Sequence, residues 1–134
     1  MRRSILVVSV LIGWKVFSQG VSPEHIQQLE RLMSFYGGVM DGELARIESV
    51  FEYASANNIP TNEVNKVALK IATQMQLDLE AGGGSALCMA RMTEYMGWRP
   101  DVMFLPFLEK ACLSTNRFVR RDALVGYIGV KKAD

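Results

Sequence analysis

The sequence predicts an all-α domain made of antiparallel helical hairpins. Three observations predict it. Apolar residues recur at three- and four-residue spacing through most of the chain. No segment alternates apolar and polar residues with β-branched enrichment. Clusters of Gly, Pro, Asn and Ser punctuate the periodic runs, leaving connections of about 3–6 residues that bring neighbouring helices together antiparallel. At 134 residues, 49% hydrophobic and 22% charged, the chain has enough apolar material for one core and is unlike a disordered polymer.

Each element has its own signals. Ser22-Pro23-Glu24 starts the first helix with a hydroxyl cap, a proline at the first helical position and an acid in the first turn. Ile26, Leu29, Leu32, Met33 and Tyr36 are its apolar stripe, and Gly37-Gly38 stops it. Asp41 or Gly42 opens the second helix, with Leu44, Ile47, Val50, Phe51 and Ala54 inward; Asn57-Asn58 and Pro60 end it. Thr61 is expected to cap a third helix with the stripe Val64, Val67, Ala68, Ile71, Met75 and Leu79, closed by Gly82-Gly83-Gly84. Ser85 caps the fourth, bracketed at its end by Gly97 and Pro100. Asp101 opens a fifth helix reaching about Leu113, and Ser114-Thr115-Asn116 is a turn. The sixth helix is expected from about Arg117 to Ile128, with residues 129–134 frayed.

Residues 1–20 read as a secretory signal peptide followed by a single helical domain over 21–134. Arg2 and Arg3 precede an apolar run from Ile5 to Trp14, and Lys15 cuts that run too short to span a bilayer. Small residues around Ser18 and Gly20 suit cleavage before Gln19 or Val21. The expected product is exported, periplasmic or secreted, with no stable membrane span after cleavage.

The formal net charge is +1, so no overall field points to nucleic acid or an anionic membrane as main partner. The charge is nevertheless segregated. Residues 19–98 carry 5 basic and 10 acidic groups, whereas residues 99–134 carry 7 basic and 4 acidic ones. The segregation reads either as solvated helix faces or as a weakly basic C-terminal surface that meets an acidic partner.

Reactive constellations are sparse. With 2 Cys and 1 His the chain cannot assemble a thiolate zinc site or a His pair. Cys88, Met89, Met92 and Met96 form a soft-ligand stripe that suits Cu(I), at a spacing that equally suits a packed core. Cys88 and Cys112, on different helices, are either free thiols or a bridge. Glu48 and Glu52 share one helix face beside an apolar stripe and read as solvated; His25 reads as a surface residue; Ser85 and Ser114 have no His partner by position. The triple glycine lacks the lysine and the preceding strand of a phosphate-binding loop and reads as a hinge.

Residues 105–130, LPFLEKACLSTNRFVRRDALVGYIGV, resemble a HEAT repeat. The matching positions are Leu105, Pro106, Leu108, Leu113, Val119, Arg120, Ala123, Leu124 and Ile128; Asn116 stands near where the family usually has Asp, and Glu109 and Cys112 where it often has Leu. The upstream hairpins do not repeat the motif, so the fold is expected to be a short HEAT-like α–α superhelix or a helical bundle. The resemblance implies a binding scaffold with no catalytic residues and no cofactor. Within the hairpin Val119, Ala123 and Tyr127 lie at i, i+4, i+8, with Leu124 and Ile128 expected to widen the buried stripe.

The function these readings support is a non-catalytic protein-binding or scaffold module outside the cytoplasm. Its expected partner-binding residues are Arg117, Arg120, Arg121 and Lys110, which alternatively form structural salt bridges with Asp122 or Glu109; Trp98, Phe104 and Phe107 could add aromatic anchors, unless Trp98 only covers the end of the core. The alternative is a Cu(I)-binding protein using Cys88, Met89, Met92 and Met96.

Overall fold

A computed structural model of the chain describes residues 21–34 and 47–134. The leader over 1–20 and the expectations for Tyr36, Gly37-Gly38, Asp41, Gly42 and Leu44 lie outside the described residues. Among the described residues there are six α-helices, one 3₁₀ turn and no strand. The helices are α1 (Pro23–Met33), α2 (Ile47–Ala56), α3 (Thr61–Glu80), α4 (Ala86–Trp98), α5 (Leu105–Ala111) and α6 (Arg117–Ala133), with the 3₁₀ turn at Val102–Phe104. The described residues therefore form an all-α helical bundle.

The ends of the helices follow local chemistry. Ser22 accepts from the His25 N–H at 3.3 Å and Ser85 from the Cys88 N–H at 3.3 Å, each satisfying one first-turn donor that has no partner inside its helix. Asn116 accepts from both Phe118 and Val119 N–H groups at 2.9 and 3.1 Å. α3 differs from the sequence expectation. Its cap position is Pro60, which offers no side-chain acceptor, and Thr61 is already the first helical residue.

Two helices stop by the same device. Asn58 takes φ 54° after α2, so the Ile59 N–H turns back onto the Ala54 carbonyl at 2.9 Å. Gly82 takes φ 88° after α3, so the Gly83 N–H reaches the Asp78 carbonyl at 2.9 Å. Both satisfy last-turn carbonyls that the helix cannot. Ile59 is buried, pinning the α2–α3 turn to the core.

α1 packs on α2 and α3, α3 on α4, and α4 and α5 on α6. One core runs through them, with Leu29, Met33, Val50, Met89, Met92 and Leu108 at its centre, all wholly buried. Each such side chain contributes roughly 1.5–3 kcal/mol by leaving water.

The tightest contact is between α4 and α6. A Cβ added at Gly126 would stand 3.0 Å from the Thr93 carbonyl oxygen of α4 and 3.3 Å from Leu108 Cδ2. Gly97 and Gly129 also face one another across this seam. The absence of side chains lets the two backbones touch.

Three further expectations are corrected. Residues 129–133 are helical, because Val130 is buried on the core side and Lys131 and Lys132 face the negative end of the helix dipole. The fifth helix ends at Ala111 and begins only after a 3₁₀ turn capped by Asp101. Leu124 and Ile128 do not widen the buried stripe of α6. Gly126 takes their place, so the buried stripe is Val119, Ala123, Gly126 and Val130, and the matched positions Leu113, Leu124 and Ile128 are all exposed. No helix among the described residues is long and apolar enough to cross a membrane.

Candidate functional site

The seam between α4 and α6 has an outer side. There it opens into a groove of about 480 Å³. Gly97, Gly126 and Gly129 form its floor, since the helices meet there without side chains between them. Leu87, Trp98 and Val125 stand on its walls at 51%, 49% and 66% exposure. Its charged members come in pairs along each wall: Arg91 with Glu94 at 3.1 Å, and Arg121 with Asp122 at 3.5 Å. Large apolar side chains left half in water around a concavity are the feature that departs most from an ordinary helical surface.

Beyond the groove lies the outward ridge of α6. It carries Phe118 and Leu124 at 55% and 52% exposure and Ile128 at 45%, interleaved with Arg117, Arg121, Lys131 and Lys132. The guanidinium of Arg117 sits 5.5 Å from the Phe118 ring centre and that of Arg121 5.8 Å from it, so one exposed ring is flanked by two cations.

The four residues expected to form one basic patch do three different things. Arg117 and Arg121 flank Phe118. Arg120 donates to the Ser114 carbonyl at 2.8 Å and to that of Thr115 at 3.4 Å, clasping the α5–α6 turn. Lys110 pairs with Glu80 of α3 at 3.6 Å, on the rim of a separate cleft of about 470 Å³ that Leu113 and the turn residues 114–116 also line. Of the aromatic anchors only Trp98 is at the surface; Phe104 and Phe107 are buried, because the 3₁₀ turn and the start of α5 direct them inward.

The soft-ligand stripe is core. Met89, Met92 and Met96 have no exposed surface and Cys88 only 6%. Cys88 and Cys112 are both free. Burial, followed by the charge of Glu109, pushes the Cys112 thiol up, holding it in the less reactive protonated form. Glu48 and Glu52 are exposed. His25 is half-buried, edge-on to Tyr53 with ring centres 6.1 Å apart, rather than a free surface group. The Ser114 hydroxyl accepts from the Asn116 N–H at 3.1 Å and serves the turn. Among the described residues no group of three or more His, Cys, Asp or Glu side chains converges.

A buried polar relay is not visible in the apolar periodicity of the sequence. Tyr95 Oη donates to Asn65 Oδ1 at 2.8 Å, Asn65 Nδ2 donates to Asp101 Oδ2 at 3.2 Å, and Asp101 Oδ1 receives the Met103 N–H at 3.0 Å. Three elements are joined: α3, α4 and the 3₁₀ turn. A signal existed, since Asn65 interrupts the apolar run Val64–Ala68 on a buried face. Burial raises the Tyr95 phenol well above its ordinary value, Arg99 opposes the rise and Asp101 adds to it. The phenol is thus a fixed donor. The relay is fully satisfied, and no described buried side-chain nitrogen or oxygen lacks a partner. It orders the fold and supplies no poised acid or base.

Arg99 lies 4.1 Å over the Phe51 ring, at the edge of a smaller hollow of about 270 Å³ bounded by Ser55, Thr61 and Tyr95. No protein-family model matches the chain, and comparison with curated proteins and with solved structures gives no match.

Proposed function

We propose that this chain is an exported, non-catalytic protein-binding module whose working surface is the groove between α4 and α6. The observation that carries the reading is the position of Leu87, Trp98 and Val125. Three large apolar side chains remain about half exposed around one concavity, where burial by a partner would release roughly 25 cal/mol for each Å² covered. Arg121 at the rim and Arg117 beyond it favour an acidic flank on the partner. The likeness of residues 105–130 to a HEAT repeat supports a scaffold role, and the signal-like pattern of residues 1–20 supports export.

The test is capture from the extracytoplasmic fraction of the source cells. The parent chain is expected to retain a protein that a Leu87→Glu/Val125→Glu variant of equal stability does not. Equal retention by both, or by neither, removes the proposal.

A further inference from the structure

The outward ridge of α6 serves a different surface from the groove. We infer that this ridge lies flat on an anionic lipid bilayer, with its apolar side chains in the headgroup region and its cations against lipid phosphates. The buried stripe Val119, Ala123, Gly126 and Val130 fixes which side of α6 faces the core. Turning 180° from it brings up Arg117, Leu124 and Ile128, with Lys131 and Lys132 flanking them at the C-terminal end. All five are exposed.

The charges on that side have one sign. The only acid within α6 is Asp122, which flanks the core side with 29% of its side chain exposed and is paired to Arg121. Cations interleaved with half-exposed apolar side chains on one helix face are the pattern of a helix that lies in a membrane interface: stems bury alongside the apolar groups and charged heads reach outward. Shape separates a bilayer from an acidic protein as the occupant. The ridge is convex and runs the length of a 17-residue helix, about 25 Å at 1.5 Å per residue. A flat, laterally continuous anionic surface meets all of it at once, whereas the concavity that a protein ligand would fill lies beside it, in the groove. No described helix is both long and apolar enough to cross a membrane, so the contact inferred for α6 is a surface one.

The balanced net charge of the chain hides this local field. Ten of the 14 acidic groups belong to residues 19–98, and α6 alone holds five of the seven basic groups of residues 99–134.

The proposal is tested by co-sedimentation of the full chain with vesicles of phosphatidylcholine alone and of an equimolar mixture with phosphatidylglycerol. Binding is expected to the mixed vesicles only, and to weaken as salt rises. Arg117→Gln/Lys131→Gln/Lys132→Gln should lower partitioning roughly a hundredfold, from about fivefold per cation removed. Leu124→Ser/Ile128→Ser should lower it independently, whereas the groove variant Leu87→Ser, on α4, leaves the charge of α6 unchanged and retains binding. The three charge changes lie on exposed side chains, so that variant reports even where the apolar one folds poorly. No sedimentation with mixed vesicles, equal sedimentation with both kinds, or binding indifferent to the charge variant overturns the inference. An acidic protein as the true occupant of the ridge would give the first of these results.

Discussion

Gly126→Ala and Gly129→Ala are the same chemical change in the same helix, and the structure gives them opposite signs. Replacing glycine by alanine in a helix interior is ordinarily stabilising by about 0.5–1 kcal/mol, because the unfolded chain loses freedom and the helix loses none. At Gly129 the new methyl would stand 3.7 Å from the Cα and carbonyl oxygen of Gly97, an ordinary contact, so that gain should be realised in full. At Gly126 the methyl would stand 3.0 Å from the Thr93 carbonyl oxygen. That atom belongs to the α4 backbone and cannot rotate away, as the end of a flexible side chain would. Leu108 Cδ2 at 3.3 Å closes a second direction. α4 and α6 must separate by a few tenths of an ångström, loosening Met92 and Met96 behind them, and overpacking of this kind costs roughly 1–3 kcal/mol. Net of the helix gain, Gly126→Ala should destabilise by about 1–2 kcal/mol while Gly129→Ala stabilises. Urea unfolding followed by circular dichroism at fixed temperature measures both. Gly126→Ala at least as stable as the parent would refute the claim that the α4–α6 seam is closed by backbone contact.

Tyr95→Phe leaves the Asn65 carbonyl buried without its donor and should cost about 1–3 kcal/mol by chemical denaturation; a neutral result would mean that Asn65 is solvated. The Tyr95 phenol is raised in the fold, so its contribution is complete below the ordinary tyrosine value near 10 and is lost as pH climbs past it. The parent should therefore lose stability above that pH more steeply than Tyr95→Phe, and parallel curves would contradict the assigned burial. Met92→Ala should cost about 2–5 kcal/mol, because the thioether is enclosed; a tolerated change with altered metal uptake would return the Met stripe to ligand chemistry. Arg120→Ala should lower the melting temperature by releasing the turn at 114–115, while Arg117→Ala leaves it unchanged; equal melting temperatures would remove the distinction between clasp and surface cation.

Much of this molecule is legible along the chain because its punctuation is local. Ser22, Ser85 and Asn116 cap the helices they precede, and Asn58 and Gly82 end the ones they follow, through groups at most a few residues away. What was not legible depends on partners distant in sequence. The orientation of α6 turns on Gly126 meeting Thr93, so a one-dimensional stripe that counted Leu124 and Ile128 as inward chose the wrong edge of the helix. The basic cluster is divided for the same reason. Arg117, Arg120 and Arg121 are adjacent in sequence, yet one is captured by the carbonyls of the turn and two flank Phe118. Asn65 finds its partners 30 and 36 residues downstream, beyond what periodicity reads.

The measurement that bears most directly on the account is the unfolding free energy of a Leu124→Ser/Val125→Ser/Ile128→Ser variant. If these side chains are held outward for contact with something other than their own fold, the variant stays within about 0.5 kcal/mol per site of the parent and keeps its helical spectrum. A loss of several kcal/mol would show that they belong to the core, and that α6 offers no apolar surface to any partner.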